Sequence, residues 1–519
     1  MVYIIDDAYS KNMRKYIGVQ KAPKGRYNME RNTDTRQMKY EVLREVADLS
    51  FREKLNDEAI EEIPFKIIPG ATPRFRCCVY KEREIIRQRV RLAMGKAPLP
   101  THNVENRVIN DNVIQVIPAA CEGCPINRFQ VTENCQKCMA KSCQRACAFG
   151  AITITGRGAY IDQSKCRECG KCAEACPYHA IADLMRPCRR SCDVGAITIG
   201  GDKLAIIDEA KCISCGHCAA ACPFGAISDI SSITTVIKKL NDPDTKVVAL
   251  PAPAVEGQFG PEVTIGRLKT ALLELGFDEV HEIALGGDAV AYNEAKELIE
   301  NHEKGEKMTT SCCPAFVNLI RKHYPQLIDK MSNTVSPMVA SVRWVRDNNP
   351  NAYVVFIGPC MAKKAEAKFD VEGEPDAVMT FEELNALFDA RRIEPSACPE
   401  SETSATSFGR RFSGSGGVTE AVMKAVAELG GDVSEIKAKP CNGAKECKLG
   451  LQMLKIGKLP EDIIEGMVCE GGCIAGPGSI ASLQQLKMAR MKKIKGKDND
   501  NITDMLTEQN FMSTDMERE

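Results

Sequence analysis

The sequence predicts an α+β protein of several domains: a helical N-terminal segment, a cysteine-rich centre built on an internal repeat, and a long α/β C-terminal domain. Three observations predict this. Sixteen of the 26 cysteines fall between Cys121 and Cys222, two precede that stretch and eight follow it. Two segments inside the stretch repeat each other. Beyond about residue 245, short apolar runs alternate with helical periodicity. Composition narrows the class further. Basic and acidic residues nearly cancel, 69 against 70, which gives no case for nucleic acid or an anionic membrane as partner. A hydrophobic content of 44% is that of a globular chain. No apolar run reaches the roughly 18 residues of a membrane helix. The start, MVYIIDDAYSKNMRKY, lacks the basic and apolar regions of a secretory signal. A cytoplasmic location is expected, where thiols stay reduced and dense cysteines point to metal more than to disulfides.

The N-terminal segment, 1–115, reads as mostly helical. Residues 36–61 set Val42, Leu43, Val46 and Leu49 at helical spacing. Residues 81–94 read as a second helix with one basic side, solvated or packed on the rest of the chain, with partner docking as the alternative. Gly95–His102 reads as a linker. Cys77 and Cys78 match no ligand spacing and are read as buried structural thiols.

The repeats begin at Lys141 and Arg186. Each holds C-x3-C, a short strand-like stretch, and then C-x2-C-x2-C-x3-C-P, the bacterial ferredoxin spacing for [4Fe–4S] clusters. Three thiolates from one tight loop hold three corners of a cubane, and the fourth serves the other cluster of the pair. Each repeat needs one more C-x2-C, and two are present. Cys135 and Cys138 adjoin the first repeat, so Cys121 and Cys124 serve the second, and the first module is nested within the second. The sets are Cys135, Cys138, Cys143 with Cys176; Cys166, Cys169, Cys172 with Cys147; Cys121, Cys124, Cys188 with Cys222; and Cys212, Cys215, Cys218 with Cys192. Sixteen thiols make four accessory [4Fe–4S] clusters with none left over. Structural zinc is the alternative, but it does not produce this signature twice. Cys147 and Cys192 are followed by Ala148 and Asp193 instead of proline.

In the C-terminal domain, Lys246–Leu250 and Ala352–Ile357 read as buried strands. Residues 288–302, 314–324, 380–390 and 417–429 read as helices. Three loops carry cysteines beside small residues: TTSCCPAF (309–316), IGPCMAKKAEA (357–367) and MVCEGGCIAGPGS (467–479). In order and content they resemble the signature motifs of the [FeFe]-hydrogenases, and the likeness extends over most of residues 115–485. The family implies an H-cluster, a [4Fe–4S] cubane joined to a diiron unit with CO, cyanide and a bridging azadithiolate. The resemblance assigns its cubane to Cys313, Cys360, Cys469 and Cys473, with Cys473 bridging. Four soft thiolates suit iron–sulfur chemistry, and glycines at 471, 472 and 476 allow close backbone approach.

The resemblance also implies a proton path through Cys312, Glu294, Ser332 and Glu297. Without it, Cys312 reads as a bystander thiol and the two glutamates as a solvated helix face. In such a relay, buried carboxylates should have perturbed pKa values. Lys363, Met467, Ala252 and Pro253 match residues around the diiron unit. Departures from the family pattern are Gly358, Phe316, Ala254, Met338 and the run Gly476-Pro477-Gly478; they are similar to a divergent subgroup sometimes called group B. They put the potential and catalytic bias in question. Cys398, Cys441 and Cys447 are extra, and read as structural or redox-labile thiols.

The fold class is then α+β multidomain. A helical N-terminal segment (1–115) precedes two nested bacterial-ferredoxin-like 2[4Fe–4S] modules (116–235). An α/β [FeFe]-hydrogenase catalytic domain (245–487) and a charged, exposed or loosely docked tail (488–519) follow. The resemblance implies a cytoplasmic hydrogenase interconverting H2 with protons and electrons, a diiron unit installed by maturation proteins, and exchange with ferredoxin or a similar low-potential carrier. SGSGG at 413–417 lacks the context of a nucleotide fingerprint. Two alternatives stand beside this reading: a low-turnover H2 sensor, and an iron–sulfur electron-transfer or scaffold protein without the diiron unit.

Overall fold

A computed structural model describes residues 34–99, 112–121, 123–369, 373–494 and 500–518. The first sixteen residues, and the linker beyond Leu99, lie outside the described residues. Among the described residues no helix is long and apolar enough to cross a membrane.

Three helices open the described chain: Asp34–Phe51, Asp57–Ile67 and Val79–Ala93. The single helix expected over 36–61 is broken. Glu53 takes a left-handed conformation (φ 57°), and Asn56 caps the next helix by accepting a hydrogen bond from the Ala59 amide at 2.8 Å. Of the basic side of Val79–Ala93, Arg89 turns fully inward while Lys81, Arg83, Arg87 and Arg91 stay half-buried. Arg89 is buried and donates to the Gly225 carbonyl at 2.6 Å, and Arg76 donates to Phe224 at 2.9 Å. Cys77 is exposed and Cys78 half-buried, so the expectation of buried thiols fails. The reason is local: Cys78 stands at the entry to a helix whose buried positions begin at Val79.

The central region is built from short antiparallel pairs. Strand Ile114–Val116 pairs with Ile227–Asp229, and Phe129–Val131 pairs with Ile181–Asp183, inside the first pair in sequence. Two hairpins, Ile152–Thr155 with Gly158–Ile161 and Ile197–Ile199 with Ala205–Ile207, repeat each other. The boundary expected at 115 therefore cuts through a strand.

Two parallel sheets make up the C-terminal domain. The first runs Glu279–Val280, Val247–Pro251, Tyr353–Ile357, Ala377–Met379; the second runs Met308–Thr309, Ile463–Met467, Ala438–Asn442. Parallel neighbours need long crossovers, and helices supply them. Strands covered on both faces read as continuous apolar runs, as VVALP and YVVFI do. Helix Ile283–Glu303 is buried along most of its first three turns and packs on Pro337–Asn348 and Gly417–Glu428.

From residue 500 the described part of the tail is docked. Helix Ile502–Glu508 is held at its N-terminus by Glu428, which accepts from the Ile502 and Thr503 amides. Ile502, Leu506, Phe511 and Met516 are buried in the same apolar cluster as Leu298 and Val339. The charged composition hid four apolar anchors at wide spacing.

One buried ion cluster joins the three regions. Asp229, at the end of a central strand, accepts from Lys39 of the first helix (2.8 Å) and from Lys364 of the helix after Cys360 (2.6 Å). Lys364 also bonds Glu383 at 2.8 Å, and Lys39 bonds Glu382 at 2.8 Å. Burial pushes the Asp229 carboxyl up, but Lys364 and Lys39 outweigh it and hold it well below the usual carboxylate range. Its contribution is fully present above the unfolded pKa near 3.8 and is lost only as pH falls further, toward the folded value. Lys364→Met leaves two buried carboxylates short of a cation. It should cost about 3–5 kcal/mol in denaturant unfolding and speed amide exchange in Asp34–Phe51. Unchanged exchange in that helix would show that the ion cluster does not hold it.

Candidate functional site

The site is assembled at the carboxyl ends of parallel strands. Ala252 and Pro253 follow Val247–Pro251, Cys312 and Cys313 follow Met308–Thr309, Cys360 follows Tyr353–Ile357, and Met467 to Cys473 follow Ile463–Met467. Open parallel sheets gather loops at that end, which is why they bind ligands there. The loops enclose a cavity of about 70 Å³ with almost wholly apolar walls. Its lining includes Ala252, Pro253, Cys312, Lys363, Met467 and Cys473.

Cys313, Cys360 and Cys473 line this cavity, and Cys469 lies close to all three. Burial, then Cys313, pushes the Cys360 thiol up to about 11. Burial, then Cys360, Cys313 and Cys473, pushes Cys469 far up. Cys360, Cys469 and Cys473, crowded together with Cys313 and pushed up by burial, are stable as thiolates only around a compensating cationic metal. The residues present therefore fit an iron–sulfur cluster with an apolar chamber beside it. Tight backbone packing shapes that side: Gly472 has φ 83°, and a Cβ there would lie 2.6 Å from the Ser415 nitrogen. Gly478 donates to the Pro359 carbonyl at 2.8 Å, fastening the third loop to the second.

Lys363 is buried, 2.6 Å from Glu366 and 3.5 Å from the Cys312 carbonyl. Behind Cys312 lies the acidic helix. Glu294 is fully buried, and one carboxylate oxygen accepts from the Ser311 amide at 3.0 Å. Its other oxygen has no hydrogen-bond partner, although Ser332 stands near enough to favour its charge. Burial pushes the Glu294 carboxyl up to about 8, with the Ser311 bond opposing and Glu297 adding to the rise. Glu297 is half-buried and accepts from Thr334 Oγ1 (2.8 Å) and the Asn333 amide (3.2 Å). Ser332 Oγ accepts from the Thr334 amide at 3.1 Å. Burial, then Glu294, pushes the Cys312 thiol far up, so it holds its proton.

The accessory thiols gather in four groups. Cys188 lies with Cys222, Cys121 and Cys124, and Cys218 with Cys215, Cys212 and Cys192. Cys143 lies with Cys176 and Cys138, and Cys172 with Cys166 and Cys169. Cys147 packs in the apolar cluster that holds Cys143, Cys166 and Cys172. Equivalent hairpin amides mark the nesting: Ala159 donates to Cys135 at 3.5 Å and Ala205 to Cys121 at 3.4 Å. The last group abuts the site, for Cys215 is among the neighbours that raise Cys469. At the opposite extreme, Cys169 is exposed.

Two of the departures from the family pattern, Gly358 and Phe316, have local causes. A Cβ at Gly358 would lie 2.6 Å from the Phe356 ring, so that ring occupies the space a side chain would take. Phe316 is buried against Gly466, where no side chain fits. Cys441 and Cys447 are buried in the cluster that holds Cys313, and Cys398 is buried apart from the site. The nucleotide-like SGSGG loop opens a helix whose N-terminus is filled by the chain's own buried Glu465, bonded to the Gly416 (2.7 Å) and Thr419 (2.8 Å) amides. Sequence reasoning missed Glu366, Phe412 and Ser413. The spacing of Lys363 and Glu366, three apart in a helix, was the available signal for the first. For the others there was none, because their loop reaches the cavity only through the fold.

The family model for the iron only hydrogenase large subunit, C-terminal domain, matches residues 245–477, and the 4Fe-4S binding domain model matches 159–182 and 205–228. The chain is 31% identical over 379 residues to the periplasmic [Fe] hydrogenase large subunit of Nitratidesulfovibrio vulgaris, covering 61% of this chain and 85% of that one. It is 30% identical over 390 residues to iron hydrogenase 1 of Clostridium pasteurianum, covering 64% and 67%. It is 25% identical over 279 residues to a probable cytosolic Fe-S cluster assembly factor of Aedes aegypti, covering 43% and 58%.

A carboxyl raised by burial keeps its proton in the folded chain and releases it more readily once unfolded. Glu294 should therefore make the fold lose stability as pH rises from 4.5 to about 8. Glu294→Gln keeps the shape and cannot titrate. Denaturant unfolding between those pH values should show a shallower decline in the variant; equal slopes would mean Glu294 is already ionised when folded.

Proposed function

Because the chain belongs to the iron-only hydrogenase family, we propose that it interconverts H2 with protons and electrons at an H-cluster held by Cys313, Cys360, Cys469 and Cys473. The observation that best supports this reading is the apolar cavity shared by Cys312, Lys363 and Met467 beside Cys313, Cys360 and Cys473. When bound, the iron–sulfur clusters supply a low-potential electron relay, and the diiron unit supplies the metal at which H2 is formed or cleaved.

The chain's own residues do the rest. The apolar walls keep water out, so a proton reaches the chamber by side chains. Cys312, protonated and at the wall, gives and takes that proton. Glu294 sits behind it with one carboxylate oxygen unsatisfied. A carboxyl held near pKa 8 accepts and releases a proton with little driving force either way. Ser332 carries the proton outward to the half-buried Glu297 carboxylate. Lys363, anchored by Glu366, presents its ammonium to the chamber as a donor for an anionic ligand.

Sixteen further thiols, in the four sets given above, would hold four accessory clusters. The exposed Cys169 marks the end at which electrons enter or leave. Lys137, Lys141, Arg145, Arg167 and Lys171 are exposed on the same module, as are Met139 and Phe149. A basic surface with an apolar centre suits an acidic carrier, and ferredoxin is the one we infer.

The test is H2 evolution from a reduced low-potential dye, using anaerobic protein whose diiron unit has been installed, together with infrared spectra of CO and cyanide stretches. Diatomic bands with turnover are expected, and Cys312→Ser should abolish turnover while keeping the bands. Bands with barely detectable turnover would instead support H2 sensing. No bands, with iron near five cubanes per chain, would support a scaffold role, to which the likeness to an Fe-S cluster assembly factor gives some weight. The partner reading has its own check. Lys137→Glu with Lys171→Glu should raise KM for ferredoxin about tenfold and leave the small dye unaffected. An equal change for both donors would place the docking surface elsewhere.

A further inference from the structure

The segment after residue 500 packs on the acidic helix and reaches the proposed proton route. Phe511 stacks on Trp344 with centroids 5.5 Å apart and rings 5° from parallel, and Trp344 Nε1 donates to the Gln509 carbonyl at 3.1 Å. Arg343 then grips the chain that follows. Its Nη1 donates to the Asp515 carbonyl (3.1 Å), to Asp515 Oδ2 (2.9 Å) and to the Glu517 carbonyl (2.8 Å). So held, the segment pairs antiparallel with the residues that follow Ser332. Val335 donates to the Met516 carbonyl at 2.8 Å, Thr334 lies opposite Glu517, and Arg518 donates from its amide to the Asn333 carbonyl at 2.7 Å.

The pairing brings the Arg518 guanidinium to the Ser311 carbonyl, to which its Nη2 donates at 3.1 Å. That carbonyl belongs to the peptide unit whose nitrogen is Cys312. The Ser311 amide, on the other side of the same residue, is the donor to Glu294. Beyond Cys312, its own carbonyl faces Lys363 Nζ at 3.5 Å. Cys312 is thus bracketed: the carbonyl before it faces a guanidinium and its own carbonyl an ammonium. A peptide plane tied at its oxygen cannot swing, so the Cys312 side chain leaves the backbone in one direction. Proton transfer between heavy atoms needs about 2.6–3.2 Å, and a displacement of 1 Å can cost a hundredfold. The loop from Asn333 to Val335 is clamped in the same way, between Glu297 and the segment Met516–Arg518.

We infer that Arg518 is a positioning residue for the proton route, and that residues 509–518 form the clamp that carries it. The inference rests on the reading of Cys312, Glu294, Ser332 and Glu297 as that route. Its first readouts do not need H2 chemistry. In protein carrying its iron–sulfur clusters, with no diiron unit installed, Cys312 is labelled by iodoacetamide and counted by mass spectrometry against a Cys312→Ser background. Amide exchange is followed over 309–313 and 332–335. Arg518→Ala should raise labelling and exchange several-fold, and Arg518→Lys should return both toward native. Arg343→Ala, which loosens the clamp without touching the route, should act like Arg518→Ala. With the diiron unit installed, Arg518→Ala should lower kcat for H2 evolution about tenfold with KM for the dye unchanged. Native labelling and exchange in Arg518→Ala would overturn the inference, and so would failure of the lysine to restore them. Native protein that evolves no H2 would overturn the hydrogenase reading alone, because the labelling still decides the clamp.

Discussion

The interaction on which the rest depends is the buried salt link around Asp229. A carboxylate at the end of a short central strand is held by two lysines, one from the first described helix and one from the helix that follows Cys360. Isolated, any of these charges would be expensive to bury. Together they form a joint that only one relative placement of three regions satisfies. The nearby contacts follow from it. Arg36 on the same first helix reaches the Ser479 and Pro477 carbonyls of the third cysteine loop. Gly216, in the loop of the innermost accessory thiols, packs on Met361 and Pro477 so closely that no side chain fits.

The same logic explains why the N-terminal helices belong to the machine. They contribute no residue to the cavity, yet they cover both the strand ending in Asp229 and the helix Phe381–Arg391. Their buried face joins Met38, Val42 and Leu43 to Leu384 and Leu387 in one apolar cluster. The site is then bounded on every side by elements distant in sequence: parallel-strand ends in front, the acidic helix behind, the Phe412–Ser413 loop above the chamber wall, and the segment after residue 500 against the proposed proton route. An apolar chamber with few polar groups makes each of those groups count. Glu294 is raised to about 8 because burial outweighs the Ser311 bond that opposes it.

Much of this was legible in the sequence wherever chemistry demands local spacing. Cubane-binding loops need thiolates two residues apart, so CxxCxxC announces itself without a fold. Parallel strands covered on both faces must be apolar throughout, so VVALP and YVVFI stand out. The three cysteine loops identify the site because each is short and compositionally odd. Errors came where local pattern underdetermined packing. A helical period runs on past Phe51, but the left-handed turn at Glu53 stops the helix. The tail's charges outnumber its anchors, and four buried apolar side chains sufficed to dock it.

By itself, then, the sequence determined the ligand chemistry, the strand and helix types and the family, because those follow from residue types at fixed short separations. Tertiary structure alone decided which group of thiols faces Cys469, and that Glu294 is buried while Glu297 is half-exposed. It also brought Arg518 to the carbonyl before Cys312. Each of these depends on contacts between residues tens to hundreds of positions apart, and long-range electrostatics and burial have no local spacing to read.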